Sequence, residues 1–215
     1  NIDITADVSD LAGNPATQAT KTLEKDIVAP TLANDATLMT DNRVNDAEKT
    51  AVVISGTTTG VDDGQVVTLT ITDGSFTINA TATVTGGDWS YIANFSALAD
   101  GNIDITADVS DLAGNAATQA TRTLVKDAAL PTLVIDDPLM TDDRVNNAEE
   151  NAVVISGTSN AEDGQVVTLV ITDGSTTINP TATVTGGGWT YTANISGMAD
   201  GNIDITADVS DLAGN

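Results

Sequence analysis

The fourteen residues NIDITADVSDLAGN occur three times in a chain of 215 residues, at 1–14, 102–115 and 202–215. Their starts, at 1, 102 and 202, lie 101 and then 100 residues apart. The likeness is not confined to this stretch. Residues 51–101, beginning AVVISGTTTGVDDGQVVTL, align with 152–201, beginning AVVISGTSNAEDGQVVTL, and one deletion after Thr59 explains the shorter second spacing. A period near 100 is too long for a solenoid unit of about 20–50 residues. It matches a whole small domain, which runs to about 100–150 residues. The chain therefore folds as one domain type repeated in tandem.

The local pattern within a repeat is period two. VVTLTIT (66–72) sets Val67, Leu69 and Ile71 on one face and threonines on the other. NIDITADVS (102–110) points Ile103, Ile105, Ala107 and Val109 inward and Asp104, Thr106 and Asp108 outward. Such alternation, rich in Val, Ile and Thr, means half-buried strands. The separators TDGS, TGGD, ADGN and DLAGN are turn chemistry. Helical periodicity is absent beyond a possible turn at NDAE and SALAD. The alternation predicts strands over 31–39, 51–56, 66–72, 76–85, 89–95, 102–110 and 116–125. Seven short strands in about 100 residues indicate an all-β fold of tandem seven-stranded Greek-key immunoglobulin-like sandwiches, end to end. Trp89 and Trp189 fall on the fifth strand and are expected in the core, ligand stacking being the other reading.

The fourteen-residue stretch is then a sixth strand plus the turn into the seventh. Residues 1–26 read as the last hairpin of a preceding repeat. Residues 27–127 make a complete repeat, and 128–215 a repeat lacking its last strand. Two explanations fit these ends. The chain is one unit cut from a longer periodic array, or the open groove of 128–215 takes a strand such as 15–25 from a neighbouring chain, a head-to-tail contact.

Charge narrows the function. There are 31 acidic and 7 basic residues, no His, and a formal net charge of −24. Nucleic acid is excluded as a partner, since phosphate binding needs Lys and Arg patches, and an anionic membrane surface is disfavoured. No stretch of 18 apolar residues suggests membrane insertion by this segment. The absence of Cys means no disulfide staple. An enzyme reading has little support: His and Cys are missing, and no insertion is large enough to form a pocket around paired carboxylates.

The acidic excess itself needs an explanation. In a sandwich entered at one pole and left at the other, alternate loops share a pole. Asp41, Asn45, Asp46 and Glu48 of the first inter-strand loop and Asp100 of the fifth are expected at the exit pole of the complete repeat. Asp127 lies in the linker. Glu162, Asp163, Asp211 and Asn215 are expected at the entry pole of the next repeat. Asp62, Asp63, Asp142, Asn147, Glu149 and Asp200 occupy the corresponding positions of the other repeat. Two carboxylates ~5 Å apart at an effective dielectric of ~20 repel by about 3 kcal/mol, which a hard cation relieves. Calcium takes 6–8 oxygen ligands from these residue types, and the His and Cys favoured by zinc or copper are absent. No loop has the EF-hand pattern, so a site would lie between strands. For any one loop, solvated turn chemistry explains the acids equally well; the convergence of the set favours calcium.

KDIVAPT and KDAALPT, DNRVNDAE and DDRVNNAE, VVISGT, EDGQVVTL, ALADGN and VSDLAGN together resemble the landmarks of the bacterial immunoglobulin-like repeats that build the extender regions of giant RTX adhesins. The resemblance spans nearly the whole chain. It implies calcium-rigidified tandem sandwiches that project a distal adhesive domain from a Gram-negative cell surface. It also implies ligand roles for Asp26, Asp127, Asp111, Asn115, Asp211 and Asn215. Ile-Val and Ala-Ala replace the Thr-Thr of the family's linker. The glycine-rich nonapeptide that names RTX proteins is absent. The alternative is an immunoglobulin-like module that itself binds a glycan or protein. It predicts clustered exposed aromatics, and aromatic residues make up 3% of the chain.

Overall fold

The computed structural model describes residues 1–215 and contains strands, turns and no helix. An N-terminal hairpin pairs β1 (Ile2–Ala6) with β2 (Ala19–Leu23). The complete repeat carries β3 (Thr31–Asn34), β4 (Arg43–Val44), β5 (Val52–Thr59), β6 (Val66–Thr72), β7 (Thr77–Thr83), β8 (Asp88–Ala93), β9 (Gly101–Asp108) and β10 (Ala120–Lys126). One sheet has the order β3-β5-β8, the other β4-β10-β9-β6-β7. The second repeat carries β11 (Leu133–Ile135), β12 (Val153–Ser159), β13 (Val166–Thr172), β14 (Thr177–Ile178), β15 (Thr181–Thr183), β16 (Gly188–Ala193) and β17 (Asp204–Val209). Its sheets are β11-β12-β16 and a group in which β13 pairs with β14, β15 and β17.

The period-two pattern decides which faces are buried. Val67, Leu69 and Ile71 of β6 and Ile103, Ile105 and Ala107 of β9 are almost fully buried, while the threonines of β6 face outward. Trp89 and Trp189 lie in the core. A glycine faces each ring across the sheet, with Gly157 the register partner of Trp189. Covering a strand glycine with an aromatic restores the packing its missing side chain gives up.

The first strand is shorter than its alternation predicts. It ends at Asn34, and the chain turns through residues with positive φ, Met39 at 53° and Asn42 at 63°. Those backbone angles cannot continue a strand. Beyond them β4 pairs in parallel with β10, Arg43 against Val125 and Val44 against Lys126. No run of alternation announces this two-residue strand. The counterpart of β7 in the second repeat breaks into β14 and β15 around Pro180, which cannot donate to the ladder.

Two compact units emerge. The first comprises Asn1–Asp41, Val53–Ala93 and Ile103–Leu124, the second Asn42–Val52, Asn94–Asn102 and Val125–Asn215. The loops 42–52 and 94–102 of the first sequence repeat thus belong to the same compact body as the second repeat.

Candidate metal centre

Within the second unit, the oxygen-rich loops meet around Asn215. DLAGN folds as a tight turn in which Asp211 Oδ1 accepts from the backbone N–H of Ala213 (2.9 Å) and Asn215 (3.0 Å). Asp211 Oδ2 accepts from Asn215 Nδ2 at 2.9 Å. This is the Asx turn that an Asp before a Gly-Asn step favours. Asp211 is 8% exposed. Asn215 then reaches outward: its Nδ2 donates to the carbonyl of Asp127 at 2.9 Å, and its Oδ1 accepts from the N–H of Asp46 at 2.7 Å. Asn45 Nδ2 donates to the carbonyl of Ala213 at 3.1 Å. The 45–48 loop is held by reciprocal bonds: Asn45 Oδ1 accepts from Glu48 N–H, and Glu48 Oε2 from Asn45 N–H. That is the pattern of a capping box. One asparagine therefore ties together the 45–48 loop, the residue before the linker proline region, and its own turn.

The other candidates sort by location. In the second unit Asp100 binds Lys126 Nζ at 2.6 Å and the N–H of Ala128 at 3.3 Å. The Lys126 ammonium is the chief reason the Asp100 carboxyl sits below its ordinary 3.8. Glu162 Oε2 accepts from Leu212 N–H at 3.0 Å, and Asp163 from Gly186 N–H at 2.7 Å. Asp142 caps Arg144 N–H, Glu149 caps Asn146 N–H, and Asn147 and Asp200 are exposed. In the first unit Asp111 and Asn115 repeat the turn, and Asn115 Nδ2 faces the Asp26 carbonyl at 3.4 Å. The Asn115 side chain is the main cause of a lowered Asp111 pKa. Asp26 accepts from Val28 N–H, Asp63 from Gly86 N–H, and Asp41 and Asp62 are exposed.

Sequence reasoning missed Lys126. It is 5% exposed, and it neutralises Asp100 directly. A signal was present: the chain has only seven basic residues, and Lys25 and Lys126 stand one position before the two linker aspartates. The donor set is all oxygen and suits a hard cation. No three acidic side chains lie close enough together to hold a metal ion. A bound cation would therefore draw on Asn and carbonyl oxygens besides one or two carboxylates.

No protein-family pattern matches the chain, and no curated protein sequence does. Solved structures do. A calcium-stabilised adhesin that helps an Antarctic bacterium reach out and bind ice is 30% identical over 99% of this chain and 53% of its own, with a TM-score of 0.51. A tetra-tandem repeat from the extending region of a large adhesion protein is 29% identical over 99% of this chain and 53% of its own, with a TM-score of 0.44. A bacterial immunoglobulin-like domain of the M. primoryensis ice-binding adhesin is 30% identical over 45% of this chain and 96% of its own, with a TM-score of 0.32. The chain spans about half the length of the first two, at 53% each. It belongs to the tandem bacterial immunoglobulin-like repeats of large adhesins.

Proposed function

We propose that the chain is a structural extender of a bacterial surface adhesin, stiffened by calcium where its repeats join, and that it acts outside the cell to hold a distal adhesive domain away from the surface. The observation that carries this reading is the Asn215 hub, where a turn, a linker residue and a loop share one side chain. A spacer needs its joints held and little else. A cation at this junction would be held by Asn and carbonyl oxygens together with one or two carboxylates from among Asp46, Glu48 and Asp127. It would offset the repulsion of a chain carrying a net charge of −24. The calcium-stabilised relative supports the choice of metal.

Near-identity of the repeats also favours a spacer, because length and stiffness do not require sequence diversity. The competing reading, a module that binds a glycan or protein itself, lacks a surface of clustered aromatics. Phe76 is the one exposed aromatic among the large exposed hydrophobic residues.

Isothermal titration calorimetry tests the metal. Calcium titrated into chelator-stripped protein should give saturable binding that magnesium at the same concentration does not reproduce, and Asp127→Asn should weaken it. Equal, weak heats from both ions would leave only screening of solvated charge and remove the calcium half of the proposal.

A further inference from the structure

In both repeats a methionine sulfur stands where a strand has left its ladder. The N–H of Asp35 donates to the carbonyl of Ser55, and β3 then departs from β5. Backbone groups two residues apart point to the same edge of a strand. The next donor on that edge is therefore the N–H of Val53, and Met39 Sδ accepts it at 3.3 Å. In the second repeat the Asp136 N–H donates to the Ser156 carbonyl, and the Val154 N–H donates to Met140 Sδ at 3.2 Å. The two turns, DATLMTD at 35–41 and DDPLMTD at 136–142, differ at two of seven residues yet place the sulfur alike. Both methionines hold a positive φ, 53° and 56°. A residue other than glycine occupies that region only where its surroundings hold it.

Packing and the sulfur contact supply that hold. Leu38 is 1% exposed, and Leu139 and Met140 pack against the core of the second repeat. Met39 and Met140 themselves are only partly buried, so a small oxidant reaches them. We infer that Met39 and Met140 are oxidation sites for hydrogen peroxide, and that their sulfoxides unfasten the turns that follow β3 and β11. A thioether is a weak acceptor, and only one of its two lone pairs is engaged by the strand N–H.

The free lone pair attacks one peroxide oxygen. An S–O bond forms, the O–O bond breaks, and the departing hydroxide takes up the proton of the transferred oxygen and leaves as water. Sulfur is oxidised by two electrons and the peroxide is reduced. Because the strand shields the other lone pair, one sulfoxide epimer forms in excess. Its sulfur carries partial positive charge and no longer attracts an N–H. Its oxygen points away from the strand, and a polar group now lies where an apolar one packed. The Val53 and Val154 donors are released to water. Reduction by the sulfoxide reductase specific for that epimer restores the contact. The third methionine, Met198, has Leu98 as its counterpart, so that place calls for an apolar side chain rather than a sulfur acceptor.

Amide hydrogen exchange followed by NMR on the full chain, before and after hydrogen peroxide, tests the inference. The Val53 and Val154 amides should be protected in the reduced protein and exchange about fivefold faster once it is oxidised, the factor that one net hydrogen bond is worth. Met39→Leu and Met140→Leu keep the volume without the acceptor, and each should reproduce that rise at its own valine without peroxide. Met198→Leu should leave both valines as they were. After proteolysis of the oxidised protein, the two epimer-specific methionine sulfoxide reductases should clear the Met39 and Met140 sulfoxides unequally. Valine exchange unmoved by peroxide, leucine variants as protected as the wild type, a Met198→Leu effect at either valine, or equal epimers at Met39 and Met140 would each overturn the inference.

Discussion

Gly157→Ala places a methyl group where the second repeat has no room for one. A Cβ there would lie 1.9 Å from the carbonyl oxygen of Val134 and 2.6 and 2.8 Å from Cζ2 and Cε2 of Trp189. The Trp189 ring is 4% exposed and cannot swing away without opening the core. The backbone of β11 must therefore retreat. Hydrogen bonds of this kind tolerate only a few tenths of an ångström before they weaken, and a retreat of ~1 Å breaks those nearest Val134. Losing two of them at about 1 kcal/mol each, with overpacking of about 1–3 kcal/mol, gives a destabilisation of about 3–5 kcal/mol. Urea unfolding followed by tryptophan fluorescence measures it. At an m-value of about 1 kcal/mol/M, the transition that reports on Trp189 should move down by several molar. Gly197→Ala is the control: nothing lies within 4 Å of its added Cβ, and its effect should stay within about 0.5 kcal/mol. A Gly157→Ala protein less than about 1 kcal/mol weaker than wild type would show that β11 yields freely, and would refute the close-approach argument.

Other perturbations follow from single residues. Asn34 has both side-chain amide atoms buried without a partner, and the second repeat has Ile135 at that place, packed against the core. Asn34→Ile should stabilise the first unit by about 1–3 kcal/mol in the same urea assay. Lys126→Met should raise the Asp100 pKa toward 3.8, read by NMR titration of its carboxyl, because the ammonium is the main lowering influence. Asp111 has a folded pKa below its ordinary value, chiefly through Asn115. Its stabilising contribution is therefore complete above about pH 4 and lost as pH falls through the lowered value. Asn115→Ala should be less stable than wild type at neutral pH, and urea midpoints at stepped pH should show the gap closing in acid.

The fold was legible because period-two alternation is unambiguous here. Val67, Leu69 and Ile71 allow one burial pattern, and the strand over 66–72 lies where the alternation ends it. What escaped notice has physical causes. β4 is two residues long and is stabilised by parallel pairing to β10, distant in sequence, so no local pattern marks it. β3 ends at Asn34, and the turn that follows carries positive φ at Met39, a residue type that gives no turn signal. At the candidate centre, loop topology placed Asp46, Asp127 and Asn215 in one region, and the structure ties them by hydrogen bonds. It could not show that asparagine, rather than a set of converging carboxylates, organises the contact. Nor could it show that Lys126 is Asp100's partner, since a salt bridge between residues 26 apart carries no spacing rule.

On the function proposed above, calcium converts a jointed chain into a stiff spacer. Small-angle X-ray scattering tests it most directly, on dilute protein in excess calcium, in chelator at matched ionic strength, and in magnesium. A calcium-locked spacer should scatter as a long, stiff particle in calcium that becomes flexible in chelator and is not restored by magnesium. An unchanged profile across all three would contradict it, and would leave the hydrogen bonds of Asn215 and the packing of the linker as the only sources of stiffness.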